Sequence, residues 1–317
     1  MNRSLFLAAA AAVAAAMPHH AQAHAIAGDR TFPVTLTIDD PGVADEASIP
    51  TYTWNPQQKG QPTIRINDLG FEYDKRITDA FALSVNGDYD IVKQNGDKTL
   101  TGWDNFVLTA KYRVYVSAEH EFIASIGVVQ ELGGTGAYNI ADTDGTTTPT
   151  FYFGKGLGDL PADMGWARPL AVTGELQYQI SDHQKRNSFS IDPITGLSIT
   201  NTAHAPNFFL WGGSVQYSLP YMQAQVKDYG FPDWVNNLIP IVEFSFSTPA
   251  TRGYGIGPQG IISPGIIYLS HTWQVGIEAL IPVNKASGSN VGLIAQFHVF
   301  LDDIFPNSIG KPIFGGQ

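Results

Sequence analysis

The residues from Phe106 to Leu132 constrain this chain most, because their side chains alternate with a period of two over arms long enough to cross a bilayer. In Phe106-Val-Leu-Thr-Ala-Lys-Tyr-Arg-Val-Tyr-Val116, the residues Phe106, Leu108, Ala110, Tyr112, Val114 and Val116 are apolar or aromatic, whereas Thr109, Lys111, Arg113 and Tyr115 are polar or amphipathic. That is the strand period. After Ser117-Ala-Glu-His120 it resumes, with Phe122, Ala124, Ile126 and Val128 on one side and Ser125, Gly127 and Glu131 on the other. Each arm runs about ten residues, the length a tilted strand needs to span a membrane and longer than the usual strand of a soluble sheet. Alternation alone does not separate lipid from a protein core on the apolar side. The remainder of the chain has to decide.

The chain opens with a basic start, Met1-Asn-Arg-Ser-Leu-Phe-Leu, and an alanine-rich run to Met17, followed by small-residue triplets. This is the pattern of a secretory signal peptide, 1–25, cut at Ala21-Gln-Ala23 or Ala23-His-Ala25, so that the mature chain begins at His24 or Ile26. No later stretch offers about eighteen consecutive apolar residues, so no helix is expected to hold the exported chain in the inner membrane. With no cysteines, a lipoprotein anchor, disulfides and thiolate metal sites are excluded. The formal charge of -11, one unit more negative once Arg3 leaves with the leader, argues against a nucleic-acid partner.

From His24 to Ile49 the chain is rich in Pro, Asp and Ala, with weak alternation only at Val34-Thr-Leu-Thr-Ile38. Residues 26–48 are therefore expected to form a periplasmic or plug-like segment ahead of a barrel over 49–302 and a tail over 303–317. Alternating segments follow at 49–54, 63–73, 80–91, 103–116, 121–132, 170–180, 209–219, 239–247, 261–269, 273–281 and 291–301. These make about eleven strands, and single-chain bacterial barrels close with an even number. The expectation is all-β: a transmembrane antiparallel barrel of about twelve strands, with the missing one near Arg186 to Thr200 or formed by the N-terminal segment. Gly133 to Arg168 reads as a long polar loop, outside or folded into the mouth. Short connections at Arg76–Thr78, Ser117–His120 and Ser270–Thr272 alternate with long ones, as in outer-membrane barrels with both termini in the periplasm. Tyr73, Tyr112, Trp211, Tyr217 and Trp273 fall towards strand ends, where interfacial girdles lie.

On that reading Leu108, Tyr112, Val114 and Ile126 face lipid. The polar side lines a lumen: Asp88, Asp90, Lys111, Arg113, Glu131, Glu175, Gln177, Gln179, Gln216, Glu243, Gln274, Glu278, Gln296 and His298. In a soluble fold the same residues would simply be solvated.

Other motifs carry less. Gly255-Ile-Gly257-Pro-Gln-Gly260 matches a dinucleotide fingerprint, but a strand pattern rather than a helix follows it. Gly154-Lys-Gly156 lacks the Ser or Thr of a phosphate loop. Asp142 and Asp144 with Gly145 lack the later ligands of a calcium loop. The eight histidines show no helical metal-ligand spacing. No cofactor, metal or catalytic residue is expected; a lipid hydrolase, the third-ranked reading, would have to use His183 or His204 in the polar loops, since His120 and His271 sit in short turns.

The segments Phe153-Gly-Lys-Gly-Leu-Gly-Asp-Leu-Pro161, Val215-Gln-Tyr-Ser-Leu-Pro-Tyr221 and Leu238-Ile-Pro-Ile-Val-Glu-Phe244, together with the leader, resemble bacterial outer-membrane proteins of the meta-pathway phenol-degradation type. The resemblance implies a barrel that takes up degradable aromatics. The expected function is thus an outer-membrane channel or transporter for small, aromatic or hydrophobic solutes, surrounded by outer-membrane lipids and lipopolysaccharide. The acid-rich lumen favours cations or neutral solutes. The alternative is a structural barrel or assembly partner without an open pore. Nothing in the sequence sets the oligomeric state.

Overall fold

Period-two alternation becomes a closed wall. The computed structural model describes residues 25–55, 64–94, 98–183, 185–191, 198–251 and 257–315. The leader and Gly255 of the glycine motif lie outside the described residues. The strands are β1 (Ala25–Ala27), β2 (Arg30–Phe32), β3 (Glu46–Asn55), β4 (Ile64–Thr78), β5 (Phe81–Gln94), β6 (Leu100–Trp103), β7 (Val107–Ser117), β8 (Phe122–Glu131) and β9 (Thr146–Gly156). They continue with β10 (Leu170–Ser181), β11 (Lys185–Ile191), β12 (Ser198–His204), β13 (Phe208–Tyr217), β14 (Leu238–Pro249), β15 (Gln259–Leu269), β16 (Trp273–Pro282) and β17 (Gly292–Phe300).

Neighbours pair antiparallel in the order β4-β3-β17-β16-β15-β14-β13-β10-β9-β8-β7-β5, and β5 pairs back onto β4. The result is a closed twelve-stranded barrel. Closure gives each of the twelve wall strands two neighbours, as a sheet in a bilayer requires. The short β6 pairs with the upper part of β5, above the point where β7 begins.

The twelfth strand corrects the sequence reading. It is β9, inside the stretch expected to be a loop from Gly133 to Arg168. Its inward positions Thr148, Thr150, Tyr152 and Gly154 are mostly small and Thr occupies both faces, so its alternation is faint. The described residues near Arg186 to Thr200 instead belong to β11 and β12, which form their own two-stranded ribbon between β10 and β13. The N-terminal segment adds no wall strand either: β1 and β2 pair only with each other.

Connections at the end that carries both termini of the described chain include tight ones, between β4 and β5, β7 and β8, and β15 and β16. They also include two longer ones, 157–169 and 218–237, the latter holding the short helices Leu219–Tyr221 and Asp233–Asn236. Loop lengths are therefore segregated less sharply than expected, and 157–169 stands at the termini end.

The outer surface is an apolar band. Leu108, Tyr112, Val114 and Ile126 are exposed there, as are Leu176, Val215, Val242 and Ile277 on β10, β13, β14 and β16. A register shift between Arg113 and Tyr115 turns Tyr115 outward as well, against the simple parity count. Aromatic pairs stand near both ends of the band, Tyr268 on Trp273 at 5.4 Å by the termini and Trp211 on Phe246 at 4.5 Å towards the loops. A soluble protein would not leave so continuous an apolar surface exposed. Among the described residues no helix is long and apolar enough to cross a membrane; the strands are the elements of that length.

Candidate functional site

The interior is not empty. Residues 25–45 lie inside the wall, and Ala25, Ala27 and Phe32 pack on the inward Ile123 and Ala171. Two charged residues fasten this segment near the termini end. Arg30, fully buried, donates through Nε to Glu121 Oε2 at 3.0 Å and through Nη1 to the Pro169 carbonyl at 3.1 Å, with its guanidinium 3.6 Å from the centre of the Tyr221 ring. Asp45, also fully buried, accepts from Arg76 Nε at 2.7 Å and from Lys75 Nζ, and its carbonyl accepts the Leu301 N–H at 2.9 Å. Asp302, in the short helix Leu301–Ile304, adds a carboxylate 3.4 Å from Arg76 Nη2. Burial pushes the Asp302 carboxyl up to about 7 in spite of that arginine.

Between the two fastenings the chain reaches into the middle of the lumen and meets the polar face of the wall. The Glu243 carboxylate accepts the backbone N–H of Leu36 at 2.9 Å, of Thr37 at 2.7 Å and of Ile38 at 3.3 Å, and the Thr37 hydroxyl at 2.6 Å. Successive N–H groups converging on one oxyanion form a nest, and charge-assisted bonds of this kind are the strong ones. Gln274 brackets Val34, accepting its N–H and donating to its carbonyl. Glu175 accepts the Asp39 N–H at 3.3 Å, Lys111 donates to Asp39 Oδ1 at 2.8 Å and to the Asp40 carbonyl at 3.0 Å, and Ser125 Oγ donates to the Pro41 carbonyl at 2.6 Å. Leu36 joins Ile239, Ile241, Ile267, Leu280 and Ile294 in an apolar cluster on the opposite wall.

The residues proposed from sequence thus fall into groups. Lys111, Glu175, Glu243 and Gln274 hold the internal segment. Gln296 bonds Thr51 and His298 bonds Ser48 and Glu46, joining β17 to β3 across the inner wall. Glu131 ties Asn105 and Thr146 near the loop end, while Asp90 stands opposite Asp68 and Asp88 overlies Gly70. Gln177 bonds Glu175, and Gln179 reaches Thr146. Arg113 donates to the Asp79 carbonyl at the rim rather than into the middle of the lumen. Gln216 is buried with no hydrogen-bond partner among the described residues, and the buried Glu278 carboxyl lies against that of Glu243. His120 pairs with Asp159 and His183 with Asp144, both in exposed positions; the side chain of His204 lies outside the described residues.

Alternation did not identify Arg30, Thr37, Asp39, Asp45, Arg76 or Glu121. The signal open to sequence was the set of isolated charges around Val34-Thr-Leu-Thr-Ile38, which a solvated linker has no need to intersperse with aliphatics.

Towards the loop end the internal segment leaves a cavity of about 380 Å³. Thr37 and Glu175 belong to its lining, with Gln177, Leu210, Ser245, Ser247 and Ile261 around them and Gln259 and Ser287 beside the loops. Among the described residues no group of His, Cys, Asp and Glu is arranged to hold a metal.

A closed antiparallel wall, an apolar exterior and a polar interior define a transmembrane β-barrel of the outer-membrane type, here with its own N-terminal segment folded inside. No protein-family model matches the sequence, and no curated protein does. Among solved structures it is similar to an outer membrane channel from Pseudomonas putida F1, at 12% identity and a TM-score of 0.49 over 85% of this chain and 99% of that one. It is similar also to the NanC porin, at 8% identity and 0.46 over 80% and 98%, and to the beta domain of the Bordetella autotransporter BrkA, at 8% and 0.47 over 82% and 99%. What each of those proteins passes or secretes is a property of that protein.

Proposed function

We propose that this barrel is an outer-membrane channel for small solutes, with the termini end in the periplasm and the loops facing outward among lipopolysaccharide. The supporting observation is the cavity of about 380 Å³ that lies inside the wall and ends on Thr37 of the internal segment. A solute entering from the loop side would meet a vestibule first and a closure second. Passage then requires the stretch between Arg30 and Asp45 to shift, which would uncover Gln216, Glu243 and Glu278 along the wall. The resemblance to the phenol-degradation type supports aromatic or other hydrophobic solutes as cargo, and the interior carboxylates support cations or neutral molecules over anions. Ser270-His271 and His120 stand in turns at the termini end, the periplasmic side on this reading and away from lipopolysaccharide.

The test is conductance in planar bilayers with the full-length protein. The expected record is a small, intermittent, cation-preferring current that moves towards anions in the doubly substituted Asp88→Asn, Glu175→Gln protein. Complete absence of current and of liposome flux, even when the internal segment is loosened, would leave a structural barrel as the better account.

A further inference from the structure

The chemistry of the vestibule narrows what it takes. Glu175 is the only carboxylate of the described lining, and the residue is 7% exposed. Its Oε2 receives both protein donors, the Asp39 N–H and Gln177 Nε2 at 3.0 Å. Among the described residues nothing bonds Oε1. No lysine, arginine or histidine belongs to the described lining. Lys111, the nearby buried cation, is committed to Asp39 and the Asp40 carbonyl and lies 4.7 Å from the centre of the Tyr152 ring. Around the carboxylate stand hydroxyls from Thr37, Ser245 and Ser247, while Leu210 and Ile261 give the cavity an apolar side. The Thr37 hydroxyl already donates to Glu243 and is left as an acceptor. An open acceptor backed by hydroxyls, with the nearby cation already bonded to Asp39 and the Asp40 carbonyl and a hydrocarbon wall beside it, is complementary to a donor on an apolar body.

Resting on the channel reading above, we propose that the vestibule is a binding site for small organic amines in their protonated form, the ammonium bonding Glu175 and the carbon skeleton lying against Leu210 and Ile261. A cavity of this volume stands at the low end of ligand sites, roughly 300–1,000 Å³, which suits one aromatic ring with a short side chain. A carboxylate of the same shape meets the like charge of Glu175 with no cation in the described lining and is rejected. A neutral alcohol still bonds, without the charge.

Three probes of one skeleton separate these cases: 2-phenylethylammonium, 2-phenylethanol and phenylacetate, titrated calorimetrically into the full-length barrel in detergent. The amine is expected to bind about tenfold or more tightly than the alcohol, in keeping with a charge-assisted hydrogen bond, and phenylacetate weakest. Glu175→Gln keeps an acceptor for the Asp39 N–H and should bring the amine down to the level of the alcohol. Ser245→Lys, which leaves Glu175 in place, should raise phenylacetate relative to the amine. Phenylacetate binding as well as the amine, an amine advantage that survives Glu175→Gln, or no binding of any probe would each overturn the proposal. Potassium chloride conductance, recorded in parallel, keeps the two readings apart. Amine binding without current removes the channel and leaves the site, whereas current without amine preference removes the site and leaves the channel.

Discussion

Two glycines let the tip of the internal segment reach the wall. A Cβ on Gly276 would stand 2.6 Å from Leu36 Cδ1, and one on Gly212 2.6 Å from Ile38 Cγ2, so both aliphatic side chains occupy space that any larger wall residue would fill. Gly276→Val should therefore push the tip away while β16 keeps its ladder, seen as higher conductance and faster proteolysis within 34–42. Glu243→Ala acts from the other side, leaving the N–H groups of Leu36, Thr37 and Ile38 without their acceptor at a cost of roughly 1–3 kcal/mol for each that stays buried. The same two readouts should rise, with the outer-membrane yield unchanged. Asp302 makes a prediction in pH. Its folded pKa is raised, so the folded state binds the proton more tightly, and the penalty for the buried carboxylate grows as pH climbs from about 4 to about 7. Asp302→Asn should gain on the parent across that window, read from the midpoint of heat-induced gel mobility at each pH. A constant difference from pH 4 to 8 would mean that Asp302 does not titrate there.

At the level of elements, the parity of side chains was enough for most of the wall, because a strand between lipid and a polar interior must alternate. The Phe106 to Leu132 hairpin shows how far this goes: it became β7 and β8 with Leu108, Tyr112 and Ile126 outward and Lys111 inward. It did not reach Tyr115, since a bulge inserts one residue and resets the parity. Nor did it reveal β9, whose outward side begins with Thr147 and Pro149 before Phe151 and Phe153 appear. Strand pairing, which is non-local, supplies what the β9 sequence understates: β8 on one side and β10 on the other leave one slot in the wall, and β9 fills it. An arginine in place of Ile126, on the outer face, should cost roughly 2–4 kcal/mol if the site is near mid-membrane. Ser247→Arg, on the vestibule side, should cost little and shift ion selectivity instead. Urea midpoints of the barrel refolded into liposomes would check both, and equal losses would argue against the assignment of faces.

For the whole molecule, the interior was only half legible. Sequence parity could place Glu175 and Glu243 on the inner face, because that needs the strand alone. It could not say what they bond, since their partners are backbone groups of residues 36–39, brought to them only after the barrel has closed. The internal segment is fastened at Arg30 and again at Asp45, both near the same end, so the proposed shift of its middle would leave both fastenings in place. Single-channel conductance reads the closure of the lumen by this segment, comparing the full-length protein with a variant in which 34–42 is replaced by glycine and serine. Low, intermittent current is expected from the parent and a steady, several-fold larger, cation-preferring current from the variant. A parent already open at the level of the variant would contradict a lumen closed by the chain's own N-terminal segment.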